Sequence, residues 1–161
     1  MEFHKRLEKA IERGQQAGST RAQAEAEKAV TEKELSRLHS QYRLELSERI
    51  ETCLRQLADR VPGFRFETVV DDRGWGAAVS RDDIQVQGDR RRTNYFSRLE
   101  VVIRPASAYH VLELAAKATI RNRELFNRTH YQLLTEVDTT SFHEMVDLWV
   151  LEYAELYAAK S

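Results

Sequence analysis

The chain has 161 residues and a formal net charge of −1, which fits one domain with a helical extension and argues against a generic nucleic-acid or membrane-surface binder. Its single cysteine, Cys53, excludes an intramolecular disulfide and a CxxC metal or redox site. No apolar run approaches the roughly 18 residues of a membrane span, and Met1 to Arg6 leads into a charged helical pattern rather than a signal peptide, so a cytoplasmic location is expected.

Residues 1–19 are expected to form a short amphipathic helix followed by a hinge. Phe3, Leu7, Ala10 and Ile11 share one side among Glu, Lys and Arg, whereas Gly14 and Gly18 each cost about 1 kcal/mol in a helix interior. Ser19 or Thr20 is a plausible N-cap for the next element.

Residues 20–61 read as one long amphipathic helix. Leu35, Leu38, Tyr42, Leu46, Ile50, Cys53, Leu54, Leu57 and Val61 recur at steps of three and four, which places them on one stripe. At about 1.5 Å per residue such a helix reaches roughly 60 Å, more than one face of a domain this size covers. Part of the stripe therefore needs a further partner. Cys53 within the stripe predicts a small buried thiol.

Pro62-Gly63 ends the helix, and the apolar period changes to two. Phe64, Phe66, Thr68 and Val70 predict a first strand with one buried face. Asp71 to Gly74 turns the chain into a second strand, which Asp82-Asp83 is expected to interrupt as a bulge. A third strand spans Asn94 to Arg104. Its Ser97, Leu99, Val101 and Ile103 face one way, and Phe96, Arg98, Glu100, Val102 and Arg104 the other. Residues 109–120 have helical propensity yet alternate through Leu112, Leu114, Ala116, Ala118 and Ile120, and are read as a fourth strand. Arg121-Asn122-Arg123 then turns tightly into a fifth strand, completing an antiparallel meander.

Ser141 and Glu144 have the spacing of a capping box, opening a last helix whose stripe is Phe142, Val146, Trp149, Tyr153 and Leu156 or Tyr157. The order predicts an α+β fold in which the C-terminal helix packs on one face of the sheet. Residues 62–161, together with 40–61, then form one globular domain.

No catalytic constellation stands out. His130, His143 and Asp147 form the best metal or acid-base trio, since His143 and Asp147 are four apart on a helix, but no HExxH pattern accompanies them. His4, His39 and His110 are isolated, as surface or half-buried residues would be. There is no GxSxG setting and no Gly-rich phosphate cradle. No cofactor, no metal and no enzymatic activity are expected.

Two contact surfaces follow. The first is the helix stripe through Leu35, Leu38, Tyr42 and Leu46, flanked by Glu and Arg in the manner of a coiled coil. It predicts a non-enzymatic interaction or adaptor module that forms a homodimer or binds a protein partner through its N-terminal helix. The second is an Arg- and aromatic-bearing sheet face, with Phe96, Arg98 and Arg104 on the third strand and Arg90, Arg91 and Arg92 in the loop before it, a candidate contact for a polyanion or partner. Guanidinium groups beside exposed aromatics stack bases and neutralise phosphates in single-stranded RNA binders. Against that, Glu67, Glu100, Glu113 and Glu124 are available as cross-strand partners.

Overall fold

The computed structural model describes residues 2–86, 88 and 91–160, with the backbone alone at Val30 and Gln85. It is an α+β fold: helix α1 (Phe3–Arg60), strands β1 (Arg65–Asp71), β2 (Gly74–Val86), β3 (Arg92–Ile103), β4 (Val111–Ile120) and β5 (Arg123–Leu133), a 3₁₀ turn at Leu134–Glu136, and helix α2 (Thr139–Lys160). The chain divides into two compact units, Met1–Arg37 and Leu38–Ser161.

The first unit is helical throughout its described residues from Phe3 onward. The expected hinge at Gly14 to Ser19 is absent, because the helical run continues through both glycines. Ala and Glu around them are strong helix formers, and Thr20 returns its hydroxyl to the Gln16 carbonyl instead of capping a new helix. Every described residue from 2 to 29 is exposed.

The second unit holds the core. Its five strands lie in the order β1-β2-β3-β4-β5, all antiparallel, and the ambiguous stretch before Arg121 is indeed strand. Alternation puts Val79, Leu99, Val101, Ile103, Leu114, Ala116, Ala118 and Ile120 on one face, all buried. Against that face α1 contributes Leu46, Ile50, Leu54 and Leu57, and α2 contributes Phe142, Val146, Trp149, Tyr153 and Tyr157. The Tyr153 hydroxyl donates to the Thr119 carbonyl at 2.9 Å, and Phe64 meets the Tyr157 ring edge-on at 4.8 Å between centroids. Such satisfied aromatics fix how α2 lies on the sheet.

Three local expectations give way. The β2–β3 register runs unbroken from Trp75↔Ile103 to Val86↔Arg92, so Asp82 and Asp83 make no bulge. Each has a partner that holds it in the strand: Arg65 and Asn94 for Asp82, Arg81 for Asp83. The irregularity lies at Ala118/Thr119 in the β4–β5 ladder. The N-cap of α2 is Asp138, whose carboxylate accepts the Thr140 N–H at 3.1 Å and the Ser141 hydroxyl at 3.2 Å. On the expected first-strand face, Phe64 just before β1 is buried while Thr68 and Val70 are exposed; the buried residue of β1 is Val69, which packs with Ala78 and Val102 on the opposite sheet face.

The β4–β5 hairpin turns on Arg121 and Asn122, both at positive φ (50° and 69°), as a two-residue type I′ turn requires. Asn122 then serves β3. Its amide accepts the Phe96 N–H and donates to the Asn94 carbonyl, each at 2.8 Å. A side chain thus replaces strand pairing where β4 has already ended, since the β3–β4 register begins at Arg98↔Thr119.

Candidate interaction surfaces

The N-terminal stripe consists of Phe3, Leu7 and Ile11, spaced i, i+4, i+8 on α1 and exposed at 77%, 45% and 51%. At about 100° per residue, Arg6 and Arg13 follow one border of this stripe and His4 and Glu8 the other. His4 and Glu8 pair at 3.3 Å. Lys9 lies farther round the helix with Glu12 and Gln16, on the side away from the stripe, so the basic border of the stripe is made by Arg6 and Arg13.

Farther along α1, the predicted contact stripe separates into two parts. Leu35, Leu38 and Tyr42 are half-buried. Leu46 is completely buried; it belongs to the core of its own domain and is not available to a partner. His39, expected at the surface or half-buried, is buried, and its Nε2–H donates to the Arg104 carbonyl at 3.0 Å. Burial lowers its pKa, overcoming the opposing pull of that backbone hydrogen bond. The adjacent Arg43 lies over the Trp75 ring at 4.1 Å.

Between α1 and α2 lies a groove of 410 Å³, with Leu57, Val61, Val150, Leu151 and Ala154 among its apolar lining. The two helices run in the same direction here, since Glu45 meets His143 at 3.7 Å and Arg49 meets Asp147 at 2.6 Å. The Arg49 guanidinium grips Asp147 with two nitrogens, and the Cys53 thiol donates to the same carboxylate at 3.3 Å. Burial raises the Asp147 pKa, but the hydrogen bonds from Arg49 and Cys53 outweigh it and hold the carboxyl below its ordinary range. Burial, reinforced by the hydrogen bond to Asp147, pushes the Cys53 thiol up to about 11. The thiol therefore stays protonated at neutral pH and is a poor nucleophile. Leu151 on the groove wall is 64% exposed, and Leu148 on the outer ridge of α2 is exposed beside it.

On the outer sheet face, the arginines meet carboxylates. Arg98 pairs with Glu67 and with Glu100, and Arg73 reaches Glu100 at 2.9 Å. Arg104 stands 3.9 Å from Glu113. Phe96 is partly exposed on the β2–β3 arm, Arg92 opens β3 and Arg91 precedes it, while Arg90 lies outside the described residues. These residues are spread from the arm to the far end of β3. They do not form one cluster.

The histidine trio is not assembled either. His130 packs edge-on against Phe142 at 4.9 Å, His143 stands by Glu45, and Asp147 is engaged by Arg49. Among the described residues no group of three or more His, Cys, Asp and Glu side chains is placed to hold a metal ion. No described helix is long and apolar enough to cross a membrane. The sequence names Cys53 in the long-helix stripe and Asp147 in the histidine trio, but nothing in it joins them to each other or to Arg49, since the three meet across 94 to 98 positions. No known family, curated protein or solved structure matches this chain.

Proposed function

We propose that the protein is a non-enzymatic interaction module that self-associates, as a homodimer in the simplest case, through its long N-terminal helix. The observation that supports this reading is the exposure of Phe3, Leu7 and Ile11 in one line, within a stretch where every described residue from 2 to 29 is exposed. A lone helix in water gains little from propensity alone, and most helical stability comes from packing an apolar face. An uncovered stripe of this kind is what helix-in-groove and coiled-coil contacts use. Leu35, Leu38 and Tyr42, half-buried on the same helix, extend the candidate contact.

The test is the solution mass of the full chain and of one shortened to begin at Glu34, by light scattering after size exclusion. The reading expects an assembly for the full chain and a monomer for the shortened one, with the sheet domain folded in both. Two monomers at high concentration would refute it.

A further inference from the structure

Two features of this chain are each unpartnered and complement one another. The first is the Phe3/Leu7/Ile11 stripe with Arg6 and Arg13 along one border. The second is the groove between α1 and α2, whose apolar wall continues outward through Leu151 and Leu148. Exposed Glu144 and Glu155 stand one or two turns from these leucines on α2, and exposed Glu45 and Glu48 lie beside Arg49 and Thr52 on α1. The groove thus has an apolar wall, with Thr52, Gln56 and Arg60 also in its lining, and carboxylates along its ridges. Its own Arg49 is neutralised by Asp147, and Arg60, the other cation of the lining, stands at the Val61 end, where the four ridge carboxylates outnumber it. Glu152 is not among them, because Arg128 of β5 holds it.

We infer that the α1/α2 groove receives the Phe3–Ile11 stripe of a second copy of the chain. The inference rests on the self-association reading and names the surface that self-association uses. The fit has three parts. A helix laid along two helices buries an i, i+4, i+8 line of side chains in the furrow between them, and Phe3 to Ile11 spans about 12 Å. The basic flank of the stripe meets acidic ridges, which sets orientation and favours encounter. The polar groups at the centre of the groove satisfy one another, with Arg49 and Cys53 both engaging Asp147, so that centre does not demand a polar ligand. A stripe inserted into another copy's groove is a heterologous contact, which closes into a dimer when the exchange is reciprocal.

The experiment uses the full chain and reads its dissociation constant by analytical ultracentrifugation. Leu148→Asp with Leu151→Asp alters two exposed side chains, and its thermal melt reports that the fold is kept. The inference expects this variant to dissociate as completely as Phe3→Asp with Leu7→Asp. If the groove variant stays assembled while the stripe variant is monomeric, the groove is the wrong receptor and the self-association reading stands. If both stay assembled, or the unaltered chain is a monomer, both fail.

A charge exchange gives the second arm. Glu144→Lys with Glu155→Lys, and separately Arg6→Glu with Arg13→Glu, each raises the dissociation constant about tenfold. Combining all four restores it to within about threefold. Losses that add without recovery overturn the inference. So does an unaltered chain that is monomeric yet sediments with phosphatidylserine vesicles through Phe3 and Leu7, since the stripe would then be a lipid contact.

Discussion

Residues 3–11 and residues 46–57 lie on the same helix and repeat apolar side chains at nearly the same spacing, yet they have opposite fates. Leu46, Ile50, Leu54 and Leu57 are buried by the sheet and α2, whereas Phe3, Leu7 and Ile11 are exposed. The period of a helix determines which side is apolar. What covers that side depends on elements far away in the chain, here β2 to β4 and α2. A stripe with a sheet opposite becomes core, and a stripe without one stays exposed.

The largest effect that would sharpen this contrast is a truncation at each end of it. Phe142→Ala removes a fully buried ring and should cost about 3–5 kcal/mol in urea unfolding. Leu7→Ala should change stability by less than about 0.5 kcal/mol when measured below the association range, and weaken association instead. A Leu7→Ala loss comparable to the core loss would break the contrast. The glycines make the same point at the next magnitude. A Cβ at Gly76 would stand 2.0 Å from the Val101 carbonyl oxygen, so Gly76→Ala should cost about 3 kcal/mol or prevent folding. Gly14 and Gly18 have nothing within 4 Å of a Cβ, and Gly14→Ala should instead stabilise the helix by about 1 kcal/mol. Circular dichroism melts of the two variants should therefore move in opposite directions.

Much of the second unit was legible because its information is local. Alternation in β3, the turn at Arg121-Asn122 and the Phe142 to Tyr157 stripe depend on neighbours within a few residues. The strand at 111–120 was decided by alternation against propensity, as tertiary context commonly decides. What was not legible depends on distant partners. His39 is buried because the Arg104 carbonyl accepts its N–H across 65 positions. The acidic pair in β2 stays in register because Arg65, Asn94 and Arg81 receive it. The sheet-face arginines carried both a binding and a pairing interpretation in sequence; the carboxylates opposite now hold Arg98 and stand within 4 Å of Arg104. Glycine misled in the first unit, since two isolated glycines weaken a long Ala-rich helix without having to break it.

The smallest effects come from the ion pair beneath the groove. The Asp147 carboxyl lies below its ordinary value of 3.8, so the folded state binds this proton less readily than the unfolded chain does. The stabilisation is therefore present above the unfolded pKa and is lost as pH falls through the folded one. Both side chains are a third or more exposed, so Arg49→Ala should cost about 1 kcal/mol or less at pH 7, and the gap to the unaltered protein should narrow as pH drops below about 4. A gap that is constant from pH 7 to pH 3 would mean that Arg49 acts through packing of its stem and not through charge. Cys53 reports the same cluster independently. With its thiol pushed to about 11, alkylation by iodoacetamide at pH 8 should run about a hundredfold slower than for an ordinary exposed thiol. Alkylation at the ordinary rate would show that the Cys53 thiol is neither buried nor held by Asp147 in solution, and that the groove opens there.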